Sequence, residues 1–336
     1  MSTKTELLAL LAQQEGRYAS GQELANALGV SRNAVWKAVK SLQEQGYPIE
    51  SLPSTGYRLK QKADILTKEA IQESLCLPMK LHLLDKVDST NNYAKTLQDL
   101  SLPQLIVSEE QTAGRGRLGR NFYSPAGKGI YMTLAFRPQL GLDQAMLVTT
   151  MTAVAVCRAF EATTGLHPKI KWVNDIYLNE KKVCGILTEA ETNFETGEIQ
   201  KMIVGIGINC FEDGAMPEDI REVATFIDRP QKPFERSALI TAIANEFFAT
   251  LADFDRIRII RDYRTRSFIL GEQILIFNPA IARSIGRPEN RLSDGIRARA
   301  IDIDENGGLV VEYLEGRKSR QMETLTTGEI SIRKIY

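Results

Sequence analysis

The residues best suited to chemistry in this 336-residue chain stand in one short run, Gly114-Arg115-Gly116-Arg117-Leu118-Gly119-Arg120. Alternating glycine and arginine follow neither helical nor strand periodicity and offer nothing to a core. Glycine lets backbone amides come close to a ligand. Each arginine holds a rigid fork of donors suited to phosphate or carboxylate. Such a loop can bring two anions together, a carboxylate and a triphosphate, and shield their repulsion. A flexible basic surface loop is the plainer reading, but it would not need glycine at alternate positions.

Four weaker signals surround it. Lys171-Trp172-Val173-Asn174-Asp175 follows a strand-like run, and ionisable groups at a strand end often line a site. Lys182 heads the apolar run Val183-Cys184-Gly185-Ile186-Leu187, where a lysine can present a point charge to an anion or simply snorkel. Gly205-Ile206-Gly207-Ile208-Asn209 ends another apolar strand; its glycines permit close approach to a ligand, and a bulge explains them equally well. Ser89-Thr90-Asn91 precedes a helical stretch, as an N-cap or as a holder of a small ligand.

The segment that must position these groups runs from about residue 64 to 270. It mixes strand-like runs (Gln104 to Glu109, Gly129 to Phe136, Met202 to Ile208) with helical stretches (Gln144 to Thr163, Arg236 to Asp255). That predicts an α/β or α+β domain with a sizeable core. The composition, 43% hydrophobic and 25% charged, is that of a soluble globular protein, and the length fits two or three domains.

Ahead of it, residues 1–63 read as a winged helix-turn-helix. Leu7, Leu8, Leu10 and Leu11 mark a first helix; Ser20 can cap a second, Gln22 to Leu28; Gly29 permits the turn; Ser31 caps a third, from Arg32 to about Gln45. Val35, Val39 and Leu42 share one face of the third helix. Pro48-Ile49-Glu50-Ser51 and Gly56-Tyr57-Arg58-Leu59 form the wing. Eight basic residues face five acidic ones here, concentrated on the third helix and wing, as phosphate contacts require. A small helical packing domain with a charged solvated face is the plainer alternative.

Behind it, residues 271–336 read as a small β-barrel of five strands, Glu272 to Phe277, Ile296 to Ile303, Gly308 to Tyr313, Arg320 to Thr324 and Ile330 to Ile335, with a long polar loop from Asn278 to Asp294. Residues 62–66 read as a linker. Basic and acidic residues number 42 each, so overall charge points to no polyanion partner and local charge must carry that argument. Four cysteines without a CxxC pair read as buried thiols in a reducing cytosol, and two histidines without companion ligands fit no transition-metal site. With no signal peptide and no run long enough to cross a bilayer, the expected location is the cytoplasm, with no membrane partner.

The joint order of the motifs is more specific than any one of them. Ser89-Thr90-Asn91, Gln111 with the Gly/Arg loop, Lys171-Trp172-x-Asn174-Asp175, Lys182 with Gly185, and Gly205-x-Gly207-x-Asn209 together resemble the biotin–protein ligase family over nearly the whole chain. The winged helix in front and the barrel behind resemble its bifunctional ligase–repressor class. Lipoate ligases share the fold but not this loop, and the family usually has proline where this chain has Val173. The resemblance implies a multidomain α+β architecture: a winged helix-turn-helix head, a central mixed α/β ligase domain related to the class II synthetases, and an SH3-like C-terminal barrel.

The resemblance also implies roles. Ser89, Thr90, Asn91 and Gln111 would hold biotin, with Gly185 and Gly207 nearby; Arg115, Gly116 and Arg117 would close over biotin and its adenylate. Arg120 would face phosphate and Phe122 cover the adenine. Lys182 would bridge the biotin carboxylate and the α-phosphate. Asn174, Asp175 and Asn209 would lie on the adenylate side, Asp175 also orienting the acceptor lysine. Ser31, Arg32, Asn33 and Trp36 would approach base edges, and Lys40 and Arg58 phosphates. Implied partners are ATP with Mg²⁺, carrier domains of acetyl-CoA carboxylase with pyruvate carboxylase a second candidate, operator DNA, and a second copy of the chain once adenylate is bound. No metal site fixed by the protein is expected. The competing readings are a ligase whose head does not regulate, a transcription factor on a dead ligase fold, and a structural scaffold, which leaves the Gly/Arg loop unexplained.

Overall fold

Helices α1 (Thr3–Gln13), α2 (Gly21–Leu28) and α3 (Arg32–Glu44) begin the chain in this computed structural model. The model describes every residue except 1–2, 15, 45–46, 48, 61–63, 140, 194, 228–233, 279–280, 282–293, 327–330 and 335–336. The Ser20 hydroxyl accepts from Glu23 N (3.1 Å) while the Glu23 carboxylate accepts from Ser20 N (2.7 Å), a complete capping box. Gly29 turns the chain at φ 63°, and the Ser31 hydroxyl accepts from Ala34 N (3.2 Å) to start α3. Val35, Val39 and Leu42 bury their shared face in one cluster with Leu7 and Leu11. The wing is β1 (Ile49–Leu52) paired antiparallel with β2 (Gly56–Leu59). Pro48, Gln45 and the first part of the linker, 62–63, lie outside the described residues.

The central sheet has seven strands in the order β3 (Lys80–Leu84), β4 (Gln104–Ser108), β5 (Gly129–Phe136), β9 (Ile199–Asn209), β8 (Lys181–Thr192), β7 (Asp175–Leu178), β6 (Lys169–Lys171). Only β3 and β4 run parallel. Helices α4 (Lys68–Gln72), α6 (Leu142–Ala145), α7 (Val148–Thr164), α8 (Glu218–Val223), α9 (Arg236–Ala252) and α10 (Arg256–Arg266) accompany it. The long α7 and α9 join the main core, to which β5 contributes Met132, Leu134 and Phe136. The short α5 (Thr90–Thr96) covers the other face with Ala94 against Ile106, Ala135 and Ile203. The helical stretch expected to run to Asp255 stops at Ala252. Asp255 instead caps α10, its carboxylate accepting from Arg258 N at 3.0 Å.

The C-terminal segment forms an antiparallel sheet, β13 (Met322–Leu325), β12 (Leu309–Tyr313), β11 (Ile296–Ile303), β10 (Gln273–Phe277), β14 (Ser331–Lys334). No pairing joins its two end strands among the described residues. Most of the expected loop between Asn278 and Asp294 lies outside them, as do the ends of the strand expected from Ile330 to Ile335. The inward residues of this sheet share one core with the central domain. Trp172 Nε1 donates to Gly307 O (3.0 Å) across that junction. Cys157, Cys184 and Cys210 are buried, but Cys76, read as buried from its apolar neighbours, is exposed; it follows the short α4, where the chain runs over the surface.

Among the described residues one charged side chain is fully enclosed. Arg236, first residue of α9, directs all five guanidinium N–H groups to oxygens of Asp64, Glu109 and Gly129, at 2.8 to 3.1 Å. Tyr47 of the head completes the cluster, its hydroxyl pushed well up by burial and by the Glu109 carboxylate.

Candidate active site

The Gly/Arg loop folds back as a small hairpin. Gly116 N donates to Arg120 O (2.7 Å) and Phe122 N to Gly114 O (2.8 Å), with a single 3-10 turn over Arg117–Gly119. It overhangs the sheet where β7, β8 and β9 meet α5. Beneath lies a cavity of about 770 Å³. Arg115, Gly116, Arg117 and Arg120 form its roof, and Gly185 and Gly207 lie on its floor as direct partners on β8 and β9. The Phe122 ring rests on those glycines: a Cβ at Gly207 would sit 2.6 Å from it, so a side chain there would displace the ring.

One end of the cavity is a hydrogen-bond relay. Thr90 N and Oγ1 both donate to Gln111 Oε1 (2.9 and 3.1 Å), and Gln111 Nε2 donates to Ser124 Oγ (3.0 Å), which donates to Phe122 O (2.9 Å). Thr133 Oγ1 lies within donating distance of Thr90 Oγ1 (2.8 Å) and Asn91 Oδ1 (2.7 Å). Ser89 occupies the N-cap position of α5 without a side-chain capping bond, so its buried hydroxyl is not committed to the helix end. A donor-and-acceptor edge of this kind suits a small polar ring.

The other end is charged. Lys182 Nζ lies 2.6 Å from Asp175 Oδ1, both half-buried. Arg117 Nη1 donates to Asn174 Oδ1 (3.1 Å), whose Nδ2 donates to Ile186 O (2.6 Å). Burial draws the Arg117 guanidinium below its usual range, against the opposing pull of Asp175. Lys171, Asp219 and Val223 complete this end. Tyr123 donates to Asp213 (2.6 Å), tying the end of the Gly/Arg loop to the segment before α8; burial and that carboxylate push its hydroxyl up to about 12. A polar slot at one end and fixed cations at the other, joined over one floor, can hold a carboxylic acid against a phosphate ester.

The family models match in three places: the biotin/lipoate A/B protein ligase family over residues 83–209, an HTH domain over 3–58, and the biotin protein ligase C-terminal domain over 291–333. The bifunctional ligase/repressor BirA of Bacillus spizizenii is 34% identical over 322 residues, 94% of this chain and 95% of that protein. The chain belongs to the biotin/lipoate protein ligase family. BirA of Escherichia coli is 31% identical over 252 residues, 75% of this chain and 77% of its own. The biotin protein ligase of Aquifex aeolicus, solved in complex with biotin and ATP, superposes with a TM-score of 0.62 at 26% identity, covering 76% of this chain and 99% of that one.

The cavity of this family member gathers nearly every residue that the motifs singled out. Ser89, Thr90, Asn91 and Gln111 line one end; Asn174, Asp175 and Lys182 line the other. Asn209 does not line it; it ends β9 opposite Gly129, and its carbonyl accepts from Ile227 N (3.2 Å). Asn91 reaches the wall, but its amide is taken up by Thr133, Glu189 and Leu187. Thr133, Ser124 and Glu189 were not singled out. Thr133 carried a signal, being the one aliphatic hydroxyl in the fully buried β5, where the only other polar group is the Tyr131 phenol bonded to Pro125 O. On the head, Ser31, Arg32, Asn33, Trp36 and Lys40 are all exposed, with Trp36 at 50% and the Lys40 ammonium 5.6 Å from its ring. Arg58 is folded onto Tyr18 and bonded to Glu50 at 2.6 Å, so a phosphate would have to draw it away.

Proposed function

We propose that the chain joins biotin to ATP, giving biotinyl-5'-AMP and pyrophosphate, and passes biotin to a lysine of a carboxyl carrier domain. The observation that carries this reading is the convergence of Lys182, the loop arginines and the Thr90–Gln111 pair on one cavity. The ring of biotin takes the polar end and its carboxylate points to Lys182. Attack of that carboxylate on the α-phosphorus brings like charges together, and Lys182, Arg115, Arg117 and Arg120 stabilise the transition state as pyrophosphate leaves. Asn174 and Phe122 serve the adenylate. Roof closure excludes water from the mixed anhydride. The acceptor lysine, neutral when it attacks the carbonyl, gives its proton to Asp175 as AMP leaves. Mg²⁺, bound through the ATP phosphates, would supply further charge neutralisation there; no cluster of three His, Cys, Asp or Glu able to hold a metal exists among the described residues. No helix among them is long and apolar enough to cross a membrane. The deciding experiment is pyrophosphate release that needs both biotin and ATP, followed by labelling of a carrier domain. Activity without biotin, or none at all, refutes the reading.

Within that reading the three domains are residues 1–63, 64–270 and 271–336, the central one a relative of the class II synthetases and the last an SH3-like barrel. Cleavage by trypsin after Arg115 or Arg117 should fall when biotin and ATP are added, because an anion holds arginines that glycine leaves loose. Equal nicking in both states refutes roof closure.

The head, in the same proposal, represses transcription from a palindromic operator as a homodimer assembled on adenylate binding, since one winged helix reads only a half-site. Asn33, Arg32, Ser31 and Trp36 face bases, and Lys40 meets a phosphate. Lys40→Ala should weaken binding to every sequence alike and lower the slope of log K against log salt by about 1. An unchanged slope removes Lys40 from the phosphate contacts. A gel shift on upstream DNA that is equally strong without biotin and ATP refutes biotin sensing.

A further inference from the structure

Glu189 of β8 stands 98 residues from Asn91 in sequence, yet its carboxylate meets three groups around the polar end of the cavity. Asn91 Nδ2 donates to Oε2 (2.9 Å), Lys95 Nζ donates to Oε1 (2.8 Å), and Arg115 Nη1 lies 3.4 Å from Oε1. Arg115 Nη1 also donates to Asn92 Oδ1 (3.1 Å), so the first arginine of the roof is held against α5 and β8. Burial opposes the charge on Glu189, but hydrogen bonds from Lys95 and Asn91 outweigh it and keep the carboxyl below its usual range.

An ionised carboxylate only accepts. It therefore turns the Asn91 amide nitrogen toward β8 and its oxygen toward Thr133. The Thr133 hydroxyl has one proton for two neighbours, Asn91 Oδ1 at 2.7 Å and Thr90 Oγ1 at 2.8 Å. The orientation of Asn91 thus decides where that proton lies and what the Thr90 hydroxyl can offer a ligand. Gly205 makes the arrangement possible, since a Cβ there would lie 2.3 Å from Asn91 Oδ1. Both polar atoms of the Asn91 amide already face protein partners: Nδ2 donates to Glu189 and Leu187 O, and Oδ1 faces the Thr133 hydroxyl.

We propose that Glu189 is a positioning residue for ligand recognition: it sets the hydrogen-bond polarity of the polar slot through Asn91 and Thr133, and anchors the roof through Arg115. This rests on the ligase reading above, with the slot taking the ring of biotin. The bland account is an ion pair with Lys95 that holds α5 to the sheet. A partly exposed pair of that kind contributes little to stability and nothing to ligand affinity.

The test is steady-state pyrophosphate release by the full chain. Glu189→Gln keeps the shape but can present an NH₂ to Asn91 and loses the charge facing Arg115. It should raise KM for biotin about tenfold and leave KM for ATP within about twofold, with a smaller fall in kcat because only Arg115 among the roof cations loses its anchor. Glu189→Asp should recover most of the loss. Lys95→Ala, which removes the ion pair but not the acceptor, should keep KM for biotin within about twofold. Thr133→Val breaks the relay without touching the ion pair and should repeat the KM defect, which keeps the test open if Glu189→Gln folds poorly. A wild-type chain that releases no pyrophosphate overturns the ligase reading and this inference with it. An active wild type with unchanged KM for biotin in Glu189→Gln and Thr133→Val, or equal defects in Lys95→Ala and Glu189→Gln, overturns the role of Glu189 alone.

Discussion

Lys182→Ala should lower biotin-dependent pyrophosphate release by about 10²–10³-fold, the usual effect of removing one donor aimed at developing transition-state charge. The lysine is placed for this from both sides. Its backbone carbonyl accepts from Thr225 N (2.8 Å), which holds the start of β8 in place, and its ammonium projects into the cavity toward Asp175. The side chain is 32% exposed and contributes little to the core, so the variant should melt within a few degrees of the parent. Before substrate arrives, the Asp175 carboxylate already occupies the ammonium. Two incoming anions must share or displace it, and the released carboxylate is then free for the acceptor lysine. Asp175→Asn should accordingly spare adenylate formation more than transfer. Gly185→Ala offers a steric check, because a Cβ there would lie 3.2 Å from Lys182 Cε and Nζ and force the ammonium to move. Adenylate synthesis at the parent rate in Lys182→Ala removes the residue from the chemistry.

The groups that face the cavity from strand ends and loops were legible because their chemistry interrupts a local pattern. Glycine alternating with arginine fits no element, and Lys182 breaks an apolar run at its first position. The head was legible for the same kind of reason: Ser20 ahead of Gln22 to Leu28 reads as an N-cap, to which the structure adds Glu23 as the second half of a capping box. The relay behind the cavity was not legible. Glu189 lies in a strand of mixed polarity, where an exposed glutamate is ordinary, and its meaning appears only when β8 is laid beside α5. Helix α10 was missed because Arg256–Arg266 carries five arginines and has no long apolar stripe. Its helical state depends on the Asp255 cap and on the acceptors the core supplies: Tyr263 OH donates to Val173 O at 3.0 Å, and Arg264 donates to Ile303 O. Arg236 was hidden differently. Nothing in its local sequence says that the first residue of a helix will be enclosed, since both carboxylates that neutralise it come from more than 120 positions away.

Arg236→Ala should destabilise the chain by about 3–5 kcal/mol, the cost of removing one partner from a buried ion cluster. The loss comes less from the missing attraction than from what stays behind: the Asp64 and Glu109 carboxylates, only 15% and 17% exposed, would keep their burial without the cation that offsets it. Burial already pushes the Asp64 carboxyl above its usual range with the guanidinium in contact, and removing that cation pushes it further in the same direction. The variant should therefore bind a proton in the folded state that the unfolded chain releases. Stability then rises as pH falls through the raised folded value and is lost as pH climbs above it. Melting curves should show the largest deficit near pH 8 and a smaller one near pH 5, whereas a cavity effect alone would be the same at both. Arg236→Met with Asp64→Asn and Glu109→Gln removes all three charges and should recover much of the loss. The cluster also joins Tyr47 of the head and Asp64 before α4 to the strand end that leads into Gln111. Arg236→Ala should for that reason weaken operator binding more than pyrophosphate release at a temperature where both proteins are folded. Equal losses in the two assays would confine Arg236 to stability, and a deficit independent of pH would assign that stability to packing rather than charge.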